Sequence, residues 1–468
     1  MQTSTHQRAR RTFMDRRGFF ITALILVLCS TGLIWNAIQP NDCVIDEPSW
    51  ITSGYLGFSL LTDMEPLERW EESWDEYQLG SWGNQNPPLG KYFIGAVVSV
   101  VKDDGEPVRF RWCQYDVLLP PPDFLAGVRV GMALIGSLAL FFAWLAAFIA
   151  TRDPVTALVA PLYLYFHGTF QIHATTVHTD IIQLVFLLAA TAALFGFVRK
   201  KSASYAILAA TAAGFSCAAK FSSAPIVPVI AVAAAFCARG SIRHRASLTL
   251  ATLVIPVAVF VAVNPYLYDA PIDKTLHILH LWKELIGRQA IDPALVDHVV
   301  HSRLAAIAWI VGEVVGPDLA DKILAGLAAL CLWVWLRFGL RPRLSLRATI
   351  GLIAALVLVM LLEWQITDRT RVMSLLWPIA LFAIVRSHRS QTASERAQDI
   401  VVCGAALFVT GWVSLWLPFY WPRYSLPPIA LGSIVLALGA TRLVELLRTR
   451  FEFHPDPLSR SPQLGKAD

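Results

Sequence analysis

The feature that most constrains this chain is a series of apolar blocks, most of them long enough to cross a lipid bilayer. A membrane-spanning helix needs about 20 apolar residues, because lipid offers its backbone groups no other hydrogen-bond partners. Of the 468 residues, 56% are hydrophobic and 16% are charged, whereas soluble globular domains carry about 25% charged residues. These figures exclude an ordinary soluble fold and predict an all-α polytopic membrane protein.

When the apolar blocks are divided by the length that one span needs, they predict about 12 transmembrane helices. The block 202–238 is too long for one span, and its only charged residue before Arg239 is Lys220. We therefore expect two helices there, with a hinge near residues 220–225. The first block lacks a small-residue cleavage site and is expected to be retained as a span. The predicted spans are 18–38, 124–150, 155–172, 180–198, the two within 202–238, 248–263, 323–338, 349–362, 373–385, 400–417 and 426–447.

The distribution of positive charge predicts the orientation of these spans. Lys and Arg in short loops mark the cytoplasmic side of a membrane. They gather here in alternate loops: 8–17, 152, 199–201, 239–245, 337–347, 386–396 and 442–450. This pattern predicts an inner-membrane protein with both termini in the cytoplasm. Residues 1–17 would be a cytoplasmic tail, 18–450 the transmembrane domain, and 451–468 a disordered cytoplasmic tail. The net charge of +5 reflects these loops and does not indicate nucleic-acid binding.

The first loop, residues 41–123, would lie outside the membrane and is too long to be a simple connector. Its apolar segments 50–61 and 89–101 are short for spans and have flanking charges, which is typical of helices that lie in the membrane interface. Together they predict a folded cap over the span ends. Cys43 and Cys113 both fall in this loop. The compartment would permit a disulfide between them, although two unpaired thiols are an open alternative.

Polar residues at the outer span ends are the candidates for chemistry. Asp46 and Glu47 follow the first span, a Pro-Pro-Leu-Gly-Lys sequence ends at Lys91, and His178 and Asp180 precede the fourth span. Ionisable groups at membrane depth are costly and tend to face a cavity or a partner. Each motif also has a purely structural alternative. Asp46 and Glu47 could be solvated surface acids, the two prolines could simply end a helix, and Asp180 could be a helix N-cap.

Four cations also lie at outer span ends, against the prevailing charge pattern. Single basic residues in such places often extend to lipid headgroups. Four from separate spans instead indicate a site for a phosphate group. These residues are Arg129, Lys220, Arg371 and Arg423.

Taken in order, these motifs resemble those of the GT-C glycosyltransferases that use polyprenyl-phosphate sugars, such as protein O-mannosyltransferases and the lipid A aminoarabinose transferase. The similar features are an Asp-Glu pair after the first span, a Pro-Pro-Leu-Gly-Lys stretch, an Arg opening the second span, an Asp starting the fourth span, an Ala-Lys after a small-residue helix, and Arg-Tyr-x-Leu-Pro. The resemblance extends over nearly the whole chain. Asn86 and the Val-His-Thr-Asp sequence that ends at Asp180 depart from the commonest forms, which leaves the acceptor open.

The resemblance implies a GT-C fold and an inverting membrane glycosyltransferase that moves a mannose-like or arabinose-like sugar to a protein, glycolipid or glycan. The donor substrate would be a lipid-linked sugar, with no cofactor, no metal and no nucleic acid. Asp46 is the candidate base, because a hydroxyl acceptor is a weak nucleophile and needs a carboxylate within reach. The implied roles are catalytic for Asp46, Glu47 and Asp180, donor-phosphate binding for Arg129, Lys220, Arg371 and Arg423, and acceptor positioning for Lys91, His178 and Tyr424.

Two other classes of membrane protein have a similar series of apolar spans. A secondary transporter or flippase would show repeats and broken helices near the midplane, and we find no convincing internal repeat. An O-antigen ligase or polymerase would carry its large outer loop late in the chain, whereas this one comes first.

Overall fold

A computed structural model of the chain describes residues 3–39, 43–44, 46–64, 86–102, 108–110, 119–293, 295–315, 376–387 and 391–451. Outside these ranges lie Cys113, Arg371, the predicted spans 323–338 and 349–362, and all but the first residue of the predicted tail 451–468.

The regular secondary structure of the described residues is helical, apart from an isolated antiparallel bridge between Val299 and Phe419. Within the described part of the chain, six helices are long and apolar enough to cross a membrane, which confirms the all-α membrane architecture. The helices are α1 (Thr3–Ala37), α2 (Glu47–Thr62), α3 (Leu89–Val101), α4 (Pro122–Thr151), α5 (Val159–Phe166), α6 (Gly168–Thr175), α7 (Thr179–Lys200), α8 (Ala203–Ala219), α9 (Ile226–Cys237), α10 (Ile242–Ala262), α11 (Pro271–Ala290), α12 (Arg303–Val315), α13 (Leu376–Ser387), α14 (Ala393–Trp416) and α15 (Leu426–Phe451).

Two of the long apolar blocks contain breaks. The hinge expected within 202–238 is confirmed, because α8 and α9 are separated by a 3-10 turn at Phe221–Ser223. The single span expected at 155–172 is wrong. His167 adopts extended backbone between α5 and α6, and its ring Nε2 lies 2.8 Å from the carbonyl oxygen of Glu313. This polar contact and Gly168, a poor helix former, divide the block into two short helices.

The bundle is organised around α7, whose apolar stretch is about nine-tenths buried. A helix that is apolar on every side must be surrounded by other elements, and α4, α8 and α15 pack against it. Its N-terminal residues Thr179 and Asp180 are 2% exposed. The start of α7 is therefore an interior position at one end of the bundle, which is where the candidate site forms.

Helices α2 and α3 correspond to the two apolar segments predicted in the first loop, and they pack closely against each other. Their approach depends on glycine, since a Cβ at Gly95 would overlap the carbonyl oxygen of Gly54 and the Cβ of Phe58. A second close approach brings α3 to α7, because a Cβ at Gly90 would lie 2.5 Å from Cγ2 of Thr179. Two glycines thus hold α3 between α2 and the start of α7.

A buried ion pair fixes the start of α2. The Glu47 side chain is 0% exposed and its carboxylate accepts four hydrogen bonds. Arg129 of α4 donates from Nε to Oε1 at 2.9 Å and from Nη2 to Oε2 at 2.6 Å. The main-chain N–H groups of Val177 and Val44 donate to Oε1 at 3.0 Å and to Oε2 at 2.8 Å. Glu47 therefore joins α2, α4 and the turn before α7.

We predict that Gly95→Ala lowers the free energy of unfolding by about 1–3 kcal/mol, as overpacking of a tight contact usually does. The matched control is Gly411→Ala in α14, where an added Cβ would have no neighbour within 4 Å. That control should be neutral or slightly stabilising, because alanine is the better helix former. Thermal unfolding of the detergent-solubilised proteins measures both, and equal effects would contradict the packing described for α2 and α3.

Glu47→Gln should destabilise the protein by about 3–5 kcal/mol, because the amide nitrogen would face donors and the buried Arg129 would lose the negative charge of Glu47. Glu445→Gln is the control, since Glu445 also pairs with an arginine but is 49% exposed, and exposed pairs contribute about 0–1 kcal/mol. Both are measured by thermal unfolding. A Glu47→Gln protein that unfolds like the control would show that the pair does not hold α2 in place.

Candidate active site

Asp46 directly precedes the buried Glu47 but lies in a different environment. It is the N-cap residue of α2 and its side chain makes no capping hydrogen bond. Its Oδ2 accepts a hydrogen bond from Nη1 of Arg423 at 2.9 Å, and both side chains remain 21% exposed. Of the two adjacent carboxylates, Asp46 is therefore the one that a bound molecule can reach.

A second ion pair lies at the start of α7. The ammonium of Lys220 donates to Oδ1 of Asp180, and these side chains are 19% and 3% exposed. Lys220 follows the last residue of α8 and has extended backbone, which directs the chain into the short turn before α9. The hinge in the long apolar block thus supplies the cation that faces the first turn of α7.

The ring of Tyr424 lies near both cations. The Nζ of Lys220 is 5.2 Å from the ring centroid, and the guanidinium carbon of Arg423 is 5.9 Å from it. The guanidinium also lies 4.3 Å from the ring centroid of Trp421. Aromatic faces attract cations, so the two rings hold both positive charges at one place. The result is a cluster of two carboxylates and two cations.

A polar network that the sequence did not reveal supports the turn that carries Lys220. Gln183 of α7 donates from Nε2 to the hydroxyls of Ser222 and Ser223 at 2.7 and 2.6 Å. Ser216 donates to the main-chain oxygen of Gln183 at 2.8 Å and lies 2.7 Å from the hydroxyl of Ser223. The serine hydroxyls on both sides of the hinge were the sequence signal that could have indicated this network, because buried hydroxyl groups are normally hydrogen-bonded.

Two histidines border the cluster. His178 precedes α7 and His173 lies in α6, with ring centroids 5.3 Å apart. Burial lowers the pKa of each to about 3, with the charges of Lys220 and Arg423 acting in the same direction. Both imidazoles are therefore neutral at physiological pH. His173 lies just after the predicted span 155–172 and was not predicted as a site residue.

An apolar groove of about 600 Å³ adjoins the hinge between α8 and α9. It is lined by residues of the hinge, α9, α10 and α11, together with Trp412 of α14. Phe221, one of the lining residues, directly follows Lys220 in the chain. The groove is therefore lined in part by the hinge segment that also carries Lys220.

Most of the residues selected from the sequence lie at this end of the bundle. Asp46, Asp180, Lys220, Arg423 and Tyr424 are in the cluster, with His178 beside it. Glu47 and Arg129 form the buried pair that holds Asp46 in place. Lys91, in the first turn of α3, is fully buried, and its neighbour Gly90 contacts the start of α7. Arg371 and the proposed Cys43–Cys113 bridge are not tested, because Arg371 and Cys113 lie outside the described residues.

Comparison with known proteins bears on the identity of the chain. Residues 78–267 match the family model for dolichyl-phosphate-mannose-protein mannosyltransferase. This range includes Lys91, Asp180 and Lys220 but not Asp46 or Arg423, and it is less than half of the chain. No curated protein sequence matches.

Among solved structures, the chain is similar to the apo form of the Archaeoglobus fulgidus oligosaccharyltransferase, with a TM-score of 0.47 and 10% identity. The likeness covers 92% of this chain and 50% of that one, so this chain spans half the length of the archaeal protein. The match to the mannosyltransferase model, the helical architecture and the ordered motifs agree with one another. Over residues 78–267 the chain is therefore similar to the dolichyl-phosphate-mannose-protein mannosyltransferases.

Proposed function

We propose that this protein transfers a sugar from a polyprenyl-phosphate donor to a protein or glycan acceptor at the outer face of the cytoplasmic membrane. The observation that carries the proposal is the contact of Asp46 with Arg423 near Lys220, together with an apolar groove that is lined by the next residue, Phe221. A base, two cations and a lipid-compatible groove are the parts that such a transfer requires.

The donor phosphate would bind between Lys220 and Arg423. Within the described part of the chain, the Nε of Arg423 is buried and has no hydrogen-bond partner, so it is available to a phosphate oxygen. Arginine and lysine are the usual protein ligands of phosphate, and charge-assisted hydrogen bonds are the strong ones. When phosphate binds, Arg423 would exchange part of its contact with Asp46 for one with the donor, which would free the carboxylate.

The prenyl chain would occupy the apolar groove next to Phe221. A lipid-linked sugar cannot leave the bilayer, so its enzyme needs an apolar path that ends at a polar site. Pro225, Phe260 and Leu276 are among the residues that form this path. Burial of each methylene of the chain contributes about 0.8 kcal/mol to binding, which would allow the lipid to supply much of the donor affinity.

Asp46 would act as the general base. Its carboxylate accepts the proton of the acceptor hydroxyl while the hydroxyl oxygen attacks the anomeric carbon from the face opposite the phosphate. The bond from the anomeric carbon to the phosphate oxygen breaks, its electron pair leaves with the polyprenyl phosphate, and the configuration inverts. Lys220 and Arg423 would stabilise the charge that develops on the leaving phosphate.

The other site residues fit positioning roles. Glu47 is saturated by donors from Arg129 and two main-chain groups, so we assign it to holding Asp46 in place and not to proton transfer. Asp180 is buried against Lys220 and would orient that ammonium. Tyr424 would set the spacing of the two cations. These positioning roles replace the catalytic roles that the sequence suggested for Glu47 and Asp180 and the phosphate-binding role that it suggested for Arg129.

The family match favours an enzyme over the secondary transporter or flippase considered from the sequence. Reconstituted protein supplied with polyprenyl-phosphate mannose, glucose or aminoarabinose, and with envelope extract as acceptor, tests the proposal. Transfer of label from one donor into protein or glycan is the expected result. Movement of the intact lipid between leaflets without transfer would support the flippase instead.

We predict that Asp46→Asn lowers the transfer rate about 100-fold or more, on the usual scale for loss of a general base. The substitution keeps the shape of the side chain and removes the proton acceptor. Asp153→Asn is the matched control, because Asp153 follows the far end of α4 and accepts main-chain hydrogen bonds there. Near-normal turnover by purified Asp46→Asn protein would rule out Asp46 as the base.

Lys220→Ala and Arg423→Ala should each weaken donor binding about 10-fold to 100-fold, since a hydrogen bond to a charged group contributes about 1.5–3 kcal/mol. The acceptor KM should change much less. Lys200→Ala is the control, because Lys200 is exposed at the opposite end of α7. Titration with polyprenyl phosphate and steady-state kinetics give both constants. If only the acceptor KM changed, these residues would not be the phosphate ligands.

A further inference from the structure

His173 and His178 form a pair of buried imidazoles whose chemistry the proposed transfer does not use. Their rings pack edge to face, with an interplanar angle of 70°, and the two residues are 9% and 3% exposed. The Nδ1 atoms of both rings are buried and, within the described part of the chain, neither has a hydrogen-bond partner. Leaving a buried polar atom unpaired costs free energy. Two such atoms in adjacent rings require an explanation.

The position of the pair indicates what could satisfy these atoms. Helix α6, which carries His173, packs against the 3-10 turn Pro422–Ser425 that carries Arg423. Both rings lie within electrostatic range of Asp180, Lys220 and Arg423. A phosphate held by the two cations would therefore place the group attached to it close to the imidazoles.

The chemistry of the pair fits an uncharged polyol. A neutral imidazole has one nitrogen that donates a hydrogen bond and one that accepts, and the low pKa of both rings keeps them neutral. Each hydroxyl of a sugar can both donate and accept. Neutral rings would add little to the binding of another anion, for which the site already has Lys220 and Arg423.

We propose that His173 and His178 form the subsite that hydrogen-bonds hydroxyl groups of the sugar being transferred. This inference rests on the proposed function, because it takes the bound lipid to be a polyprenyl-phosphate sugar. It makes the pair a determinant of donor specificity: the enzyme would distinguish the glycosylated lipid from the bare phosphate through the two Nδ1 atoms.

The test compares two ligands on each variant. The affinity of the purified protein is measured for bare polyprenyl phosphate and for the best-bound of polyprenyl-phosphate mannose, glucose and aminoarabinose. The dissociation constant for the bare phosphate, divided by that for the glycosylated lipid, isolates the contribution of the sugar. We expect His178→Leu and His173→Leu each to reduce this ratio about 3-fold to 10-fold, as the loss of one hydrogen bond does, while the affinity for bare polyprenyl phosphate stays within 2-fold of wild type, a range below the effect of one hydrogen bond.

A conservative variant separates recognition from structural support. Asparagine places an amide close to the position of Nδ1, so His178→Asn should keep most of the ratio that His178→Leu loses. Binding of bare polyprenyl phosphate shows that each variant has a folded phosphate site. If a leucine variant does not fold, the asparagine variant and the variant at the other histidine still provide the comparison.

Several results would overturn the inference. An unchanged ratio in both leucine variants would show that the histidines do not contact the sugar, while the proposed function would stand. A changed acceptor KM with an unchanged ratio would assign the pair to the acceptor. A wild-type ratio that collapsed on addition of EDTA would indicate a bound divalent cation instead. If the wild-type protein bound neither lipid, the proposed function and this inference would fail together.

Discussion

The candidate site depends on one buried contact, the carboxylate of Glu47 with the guanidinium of Arg129. A charge out of water is unfavourable unless it is paired and hydrogen-bonded, and Glu47 meets this condition through four donors from three parts of the chain. Because Asp46 is the adjacent residue, fixing Glu47 fixes the start of α2 and therefore Asp46. The bond from Val177 extends the same constraint to the turn that leads into α7. One saturated carboxylate thus sets the relative positions of Asp46 and Asp180.

The two ion pairs of the cluster explain how a site rich in charge is stable before a donor binds. Asp46 with Arg423 and Asp180 with Lys220 leave no net charge within the four residues. An incoming phosphate would compete with the carboxylates for the cations. The more exposed pair, Asp46 with Arg423, is the one that can exchange partners, whereas the deeply buried Asp180 keeps Lys220 in place. In the proposed mechanism, the difference in burial between the two pairs would separate the reacting carboxylate, Asp46, from the supporting one, Asp180.

Much of this could be predicted from the sequence, because apolar length and ordered charged motifs are local properties. The helices at 50–61 and 89–101, the hinge at Lys220 and the grouping of Asp46, Asp180, Lys220 and Arg423 followed from them. The break at His167 was missed because one of its two causes is a contact with Glu313, 146 residues away. The sequence also did not predict that Glu47 is buried and Asp46 is partly exposed. Both are acids at the same span end, and the contact of Glu47 with Arg129 distinguishes them. His173 and Gln183 gave no periodic or charge signal, and their roles come from tertiary contacts.

The most direct test of the proposed site is a structure of the protein in lipid nanodiscs with polyprenyl phosphate bound. We expect the phosphate to contact both Lys220 and Arg423, Arg423 to move away from Asp46, and the prenyl chain to lie in the groove beside Phe221. A phosphate bound elsewhere, with the contact between Arg423 and Asp46 intact and the groove empty, would contradict it.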